Sequence, residues 1–327
     1  MRAILVVNPQ ATSTTAGGRD VLAHALASQV KLDVVETDYR GHAMAVARSA
    51  ARDGIDLVVA HGGDGTVNEV VNGLLADAVT SAAPPRAGGS ATRIPRGGGD
   101  PAQVGPVPAL GVVPGGSANV FARALGISHD PVEATHQLLH ALENDRSRRV
   151  GLGLADGHWF TFNAGLGWDA DVVGRVAKRR GKQTTAGLYL RAAVRSYFRP
   201  PLGRPALTIR VPGEEPAEAL TAFVSNTDPW SYLGERAVHL NPGCSFETGL
   251  GLFALNGLGL PTVFKHVRHA LATKSNQRGR RLVRHDDLPM IRIDAAEPVN
   301  FQVDGDLVGQ RTRVEFFSVP NALTVIV

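Results

Sequence analysis

The strongest constraint on this chain is the rhythm of its first 150 residues. Short apolar runs end at glycine or Asn-Pro turns and give way to helix-like stretches. Ala3-Ile4-Leu5-Val6-Val7 ends at Asn8-Pro9 and reads as a buried strand closed by a turn. The pattern then predicts a helix near Gly18–Ser28, a strand over Lys31–Glu36, a helix near Gly41–Arg52 and a strand over Ile55–Ala60. After a glycine loop come a helix over Thr66–Leu75, a strand over Ala109–Val113, a helix near Ala118–Leu125 stopped by Gly126, and a helix over Pro131–Glu143. Such alternation folds as a mostly parallel sheet with helices on its faces.

Two stretches break the rhythm. Residues 77–108 are rich in Ala, Gly, Pro and Ser, carry Pro84-Pro85 and Gly97-Gly98-Gly99, and read as a disordered surface insertion. From about residue 149 the runs shorten and recur: Trp159–Asn163, Ala206–Val211, Thr221–Ser225, Leu250–Leu255, Met290–Ile293, Asn300–Val303, Arg313–Phe317 and Leu323–Val327. Turns rich in Gly, Pro and Asp separate them, which predicts an antiparallel β domain. Two helical stretches interrupt it, near 171–198 and 261–274. The fold class expected is therefore α/β, and the length of 327 residues suits about two domains.

Charge is unevenly placed. Residues 175–204 hold nine Lys/Arg and residues 265–284 hold seven, with no acid in either stretch. Those segments carry +16, against −12 on the remainder, so the net +4 describes an acidic body with two basic segments. Segments of this kind meet anionic partners. Arg191, Arg195 and Arg199 would form one stripe beside Leu190, Val194, Tyr197 and Phe198, a pattern that suits an anionic membrane surface or a helix packed on the β domain. No recognised nucleic-acid fold or interleaved aromatics accompany the bases, so nucleic acid is not expected. The single cysteine, Cys244, excludes an internal disulfide and reads as a small core residue. No apolar run reaches 18 residues and the N-terminus lacks a signal-peptide pattern, so a soluble intracellular chain is expected.

The most informative stretch is His61-Gly62-Gly63-Asp64-Gly65-Thr66-Val67-Asn68-Glu69. Glycines directly after a strand leave backbone N–H groups open to a ligand, and the following helix start favours negative charge. Thr66 and Glu69 have the spacing of a capping box. Asp64 inside such a loop would repel phosphate unless a divalent cation stood between them, so charge predicts Mg²⁺ at Asp64. A second loop, Pro114-Gly115-Gly116-Ser117-Ala118-Asn119, also lies between a strand and a helix. There Ser117 can cap the helix or offer its hydroxyl, and Asn119 can meet an adenine or phosphate edge. Two such junctions in one sheet form one crevice, with Asn8-Pro9 on the same rim. Neither loop has the spacing of a P-loop or an ordinary dinucleotide fingerprint.

Taken with Phe162-Asn163-Ala164-Gly165-Leu166-Gly167-Trp168-Asp169-Ala170 and Val303-Asp304-Gly305-Asp306, these loops resemble, in the same order, the diacylglycerol kinase-type lipid kinases, a group that includes sphingosine and ceramide kinases. The resemblance covers nearly the whole chain outside 77–108. It implies an N-terminal α/β nucleotide-binding domain with a mostly parallel sheet, over residues 1–148 plus 310–327, joined to a C-terminal antiparallel β-sandwich lipid domain over 149–309. It implies ATP and Mg²⁺ as cofactors, with nucleotide contacts at Asn8, Pro9, Gln10, Ala11, Thr12, Thr37, Gly63, Asp64, Gly65, Thr66, Val67, Asn68, Glu69, Gly116, Ser117 and Asn119. It implies transfer of the γ-phosphate to a lipid hydroxyl, diacylglycerol first among acceptors. Asp306 would be the base and Asp64, through its metal, the second catalytic residue.

The chain departs from the pattern at three places: Asp306 stands where the family usually has Glu, Val120 where many relatives have an acid, and Thr248 before Gly249-Leu250 where some have Asp. On spacing alone Asp304 and Asp306 read first as turn residues around Gly305; with the other loops present they read as site residues. His266 and His269 read as solvated, and Trp159, Trp168 and Trp230 as core or pocket wall. The partners expected are a lipid substrate and an anionic membrane met peripherally at the inner face of the cell membrane, with a homodimer left open. Two rival readings stand beside the lipid kinase: an NAD kinase-like enzyme on a soluble acceptor, and a non-catalytic membrane-associated nucleotide sensor.

Overall fold

The structure is a computed structural model that describes residues 1–77, 107–177, 195–196, 206–272 and 277–327. The first half follows the expected alternation: β1 (Arg2–Val7), α1 (Ala16–Ala27), β2 (Lys31–Glu36), α2 (His42–Arg52), β3 (Leu57–Gly62), α3 (Asp64–Leu74), β4 (Ala109–Pro114), α4 (Val120–Ala124) and α5 (Pro131–Glu143). β1 pairs in parallel with β2 and β3, and β3 in parallel with β4, giving the order β4-β3-β1-β2. β3 is buried along its whole length, as its continuous apolar run requires. Helices α2 and α3 pack on each other, and α1 packs on α5, so the sheet is wrapped by two helix pairs.

The second half is antiparallel, as expected. It comprises β5 (Ser147–Ala155), β6 (His158–Phe160), β7 (Asn163–Gly167), α6 (Trp168–Ala177), β8 (Leu207–Arg210), β9 (Ala217–Ala219), β10 (Thr221–Ser225), β11 (Ser231–Leu233), β12 (Arg236–Val238), β13 (Leu250–Leu255), α7 (Leu260–Ala270), β14 (Leu282–Leu288), β15 (Met290–Val303) and β16 (Asp306–Ile326). Runs read separately at 290–293 and 300–303 are one strand, β15, and those at 313–317 and 323–327 are one strand, β16. Their register shifts, at Asp294/Val299 in β15 and at Val319/Leu323 where β16 meets β5, are the irregularities that made each look like two. β16 pairs antiparallel with β15 and β5, and Val325 pairs in parallel with Leu110 of β4, which joins both halves in one continuous sheet.

Three apolar clusters hold this frame. The first fills the parallel sheet and its helices, and takes in Phe246, Val319, Leu323 and Val325 from the second half. The second gathers the inward side chains of β7, β10, β13, β15 and β16, including Leu166, Val224, Leu252, Phe301 and Phe316. The third lies on the outer face of β10 and β13, where Phe223 and Phe253 meet Ala270 of α7 and Trp168 of α6.

Several local expectations change. α3 starts two residues earlier than predicted: Gly63 is its N-cap, without a side-chain cap, so Thr66 and Glu69 form no capping box. α4 starts two residues late because Asn119 adopts the left-handed conformation at φ 47°. His266 is buried rather than solvated, because it lies on the face of α7 that packs on Phe253, where its Nδ1 meets Gln277 Oε1 at 2.7 Å. Most of the 77–108 insertion and nearly all of the Arg191–Arg195–Arg199 stripe fall outside the described residues.

Candidate functional site

Parallel pairing puts the ends of β2, β1, β3 and β4 side by side, and each predicted loop leaves from one of those ends. Val7 is in register with Glu36 and His61, and Gly62 with Pro114. The Thr37 N–H donates to the Val7 carbonyl at 2.8 Å, the Asn8 N–H to the His61 carbonyl at 2.9 Å, and the Gly115 N–H to the Gly62 carbonyl at 2.8 Å. One rim therefore carries Thr37, Asn8–Thr12, the 62–65 loop and the 114–119 loop.

The two glycine loops touch backbone to backbone. A Cβ placed on Gly116 would sit 2.6 Å from the Gly63 Cα, closer than real Cβ atoms come. Asn8 braces the junction: its Nδ2 donates to Thr66 Oγ1 at 3.1 Å while its Oδ1 accepts from the Gln10 N–H at 3.0 Å. Thr12 and Ser117 approach across the rim, hydroxyl to hydroxyl, at 3.4 Å. Ser117 does not cap α4. The Asn119 side chain is also engaged, accepting from the Gly116 N–H at 2.9 Å and donating to the Gly116 carbonyl at 2.8 Å, so it shapes the loop from within. Pro9, Gln10, Thr12, Gly65 and Ser117 are exposed, and Ala11, Thr37, Gly63 and Gly116 half-buried, so these positions form the open lip. At the head of α3 the Thr66 and Val67 N–H groups donate to the Gly63 carbonyl at 2.9 and 3.2 Å, and a helix start placed on such a lip favours a negatively charged ligand.

Further along α3 the side chains serve the frame. Val67 is buried in the first core. Glu69 Oε1 accepts from the Gly41 N–H at 2.9 Å. Asn68 Nδ2 donates to the Trp159 carbonyl at 2.9 Å and to Asp304 Oδ2 at 2.8 Å. Asn72, which the sequence reading passed over, accepts from the Trp159 N–H at 2.9 Å and donates back to the same residue's carbonyl at 3.0 Å. Such amide pairs give no periodic signal that a sequence could reveal.

The three acids of the site have distinct settings. Asp64 is the first residue of α3, and its Oδ1 accepts from the Phe121 N–H at the start of α4, 3.3 Å away. Burial pushes its carboxyl up to about 6, against the pull of the 119–121 amides, and the charge of Asp304 pushes the same way. Asp304 and Gly305 both have positive φ, 45° and 77°, which makes them the two-residue turn between β15 and β16. The buried Asp304 carboxylate accepts from the N–H groups of Thr161, Phe162 and Asn163, from the Thr161 hydroxyl, and from Asn68, at 2.7 to 3.1 Å. Burial raises its pKa, and those donors oppose the rise.

Asp306, first residue of β16, stays part-exposed. Its Oδ2 lies 3.8 Å from where a Cβ on Gly65 would stand, at the head of α3. Arg40, in the loop after β2, brings its guanidinium to 3.4 Å from the same oxygen. No spacing along the chain picks out Arg40, which reaches Asp306 only through the fold. The turn reading and the chemical reading of this motif thus divide: Asp304 makes the turn, and Asp306 faces the glycine loop.

The family model for the diacylglycerol kinase catalytic domain matches residues 2–152, the stretch that holds β1, α3 and both glycine loops. A Chromohalobacter salexigens protein named probable lipid kinase YegS-like is 38% identical over 133 residues, 41% of this chain and 33% of its own. The diacylglycerol kinase of Bacillus subtilis is 35% identical over 131 residues, 40% of this chain and 33% of its own. The matched stretch thus spans about a third of the length of these relatives. A putative diacylglycerol kinase from Bacillus anthracis shares the fold, with a TM-score of 0.72 at 20% identity over 99% of this chain and 96% of that one.

Proposed function

We propose that this protein is an ATP-dependent lipid kinase that moves the γ-phosphoryl group of ATP onto a lipid hydroxyl, with diacylglycerol as acceptor and phosphatidic acid as product. One observation carries the reading: Asp306 stands beside Gly65, where the carboxylate of the second half meets the anion-binding head of α3. In this reading residues 1–148 with 310–327 hold the nucleotide and residues 149–309 receive the lipid. The triphosphate lies on the lip formed by Asn8–Thr12, Thr37, Gly63–Thr66 and Gly116–Ser117.

Phosphoryl transfer depends mostly on positioning and on donors aimed at developing charge. The Asp64 and Gly65 amides at the head of α3 would supply such donors without reorganising, because the glycine contact at Gly63 and Gly116 fixes the loops. The acceptor oxygen attacks phosphorus as the bond to the ADP oxygen breaks, and Asp306, brought within about 3 Å, takes the hydroxyl proton. Arg40 holds Asp306 toward the loop and adds a positive group at the lip. The residues present suit a divalent ion: a half-buried carboxylate, Asp64, whose charge is disfavoured by burial and by Asp304, is one that a cation would stabilise. Asp64 would hold Mg²⁺ together with the nucleotide's own phosphates, as this ion is commonly bound, and the ion would offset phosphate charge.

Labelled ATP, MgCl₂ and diacylglycerol in mixed micelles test the proposal, with NAD as a parallel acceptor. The expected result is label in the organic phase, lost by at least about a hundredfold in Asp306→Asn. Label in the aqueous product alone would favour a soluble acceptor and reject the lipid reading.

A further inference from the structure

Helix α7 carries a stripe that the catalytic reading does not use. Leu260, Phe264 and Val267 follow one another at helical spacing and are 60%, 73% and 46% exposed. The opposite face is buried, with His266 and Ala270 set against the outer side of β10 and β13. An eleven-residue helix gains nothing in water from a bare Phe-Leu-Val stripe, so the stripe calls for an apolar environment.

The charge around it says which. Lys265 and Arg268 are exposed on the same helix, and Arg278, Arg280 and Arg281 follow, also exposed. Lys265 Nζ donates to the Arg278 carbonyl at 3.2 Å, which ties that basic segment to the helix. No Asp or Glu occurs between Glu247 and Asp286 in the sequence. A second copy seated here would press bases on bases. An anionic bilayer offers acyl chains to the stripe and headgroups to the bases.

We infer that α7 lies in the plane of an anionic membrane, with Leu260, Phe264 and Val267 entering the acyl boundary and Lys265, Arg268 and the 278–281 arginines on the headgroups. Among the described residues no helix is long and apolar enough to cross, which suits a helix that lies flat. The surface connects to the site. Trp168 of α6 packs into the cluster that holds Val263 and Ala270 of α7, and Gly174 of α6 lies against Leu307, the neighbour of Asp306. The inference rests on the lipid-acceptor reading for its purpose, since a lipid acceptor comes from a bilayer.

The test is sedimentation of the full-length protein with vesicles of phosphatidylglycerol and phosphatidylcholine, and with phosphatidylcholine alone. Binding to the anionic vesicles is expected to fall at least about tenfold in Leu260→Ser/Phe264→Ser and about tenfold or more in Lys265→Glu/Arg268→Glu. Melting temperature and calorimetric uptake of ATP with Mg²⁺ should not change in either variant, because these side chains are exposed and belong to α7 rather than to the glycine loops. Equal binding to neutral vesicles, or unchanged binding in both variants, would overturn the inference. So would a concentration-dependent dimer in sedimentation velocity that the same substitutions dissociate. Should α7 variants lose vesicle binding while the parent protein phosphorylates no lipid, the surface stands and the lipid-kinase reading falls.

Discussion

At the scale of single residues, the site depends on two positions where a small change has a large consequence. Gly116 faces the Gly63 Cα and Asn119 Oδ1, so an added methyl group meets backbone on one side and the loop's own brace on the other, at 2.6 and 3.0 Å. Neither can yield without opening the lip. Gly116→Ala should cost about 1–3 kcal/mol of stability and weaken calorimetric ATP uptake by more than about tenfold, whereas Ser117→Ala, on an exposed side chain, should leave stability unchanged. Asp64 gives a pH signature. Its folded pKa, about 6, lies above the ordinary carboxylate value, so the native state holds the proton more tightly than the unfolded chain. Stability from this group is complete below about pH 4 and is lost as pH rises through 6. Compared at pH 4 and pH 8 without divalent ions, Asp64→Asn should gain about 1–3 kcal/mol on the parent in urea unfolding. A difference that stays flat across that range would remove Asp64 from its buried seat beside α4.

At the scale of elements, the turn between β15 and β16 separates two acids that the sequence could only list together. Asp304 closes a network of five donors spread over the 161–163 turn and α3, and Asp306 one residue past Gly305 faces the glycine loop. Asp304→Ala leaves buried N–H groups without an acceptor, and should cost about 3–5 kcal/mol in thermal or urea unfolding. Asp306→Asn, on a part-exposed side chain, should stay within about 0.5 kcal/mol of the parent while phosphoryl transfer is lost. A destabilised Asp306→Asn would contradict the division of roles. This contrast also shows what a sequence can carry. Strand–glycine–helix junctions were legible because apolar runs and turn residues are local signals, and β1 to α5 appear close to their expected places. The start of α3 was misplaced because Thr66 and Glu69 have the spacing of a cap but are used elsewhere: Thr66 bonds to Asn8 and Glu69 to Gly41. Arg40, Asn72 and the donor set of Asp304 were not legible, since each acquires its role from partners 87 or more residues away, and only the packed sheet brings those partners near.

For the molecule as a whole, the stretch matched over residues 2–152 is less self-sufficient than its boundary suggests. The last strand returns to the first sheet: Val325 pairs with Leu110, and Leu323–Ile326 pair with Ser147–Val150 of β5. Val319, Ala322, Leu323 and Val325 are buried in the same apolar cluster as β1, β3 and β4, and Phe246 enters it from the second half. Each large apolar side chain so buried contributes about 1.5–3 kcal/mol, so losing three of them removes several kcal/mol from a total of about 5–15 kcal/mol. It would also bare the edge of β4, an unpaired strand that invites aggregation. A fragment of residues 1–152 is therefore expected to be insoluble or molten, and a chain ending at Ser318 to melt at least about 10 °C lower and to lose ATP uptake, although every glycine of both loops remains. Leu323→Ala in the full chain, a milder cut at the same seam, should cost about 2–5 kcal/mol. A soluble 1–152 fragment with a cooperative melt and full nucleotide uptake would mean that β16 decorates the first sheet rather than completing it. On the proposed function, the pairing of β16 with β15 predicts that the proposed nucleotide and acceptor sites respond together: one strand begins at Asp306 beside the glycine loop and ends inside the core behind that loop.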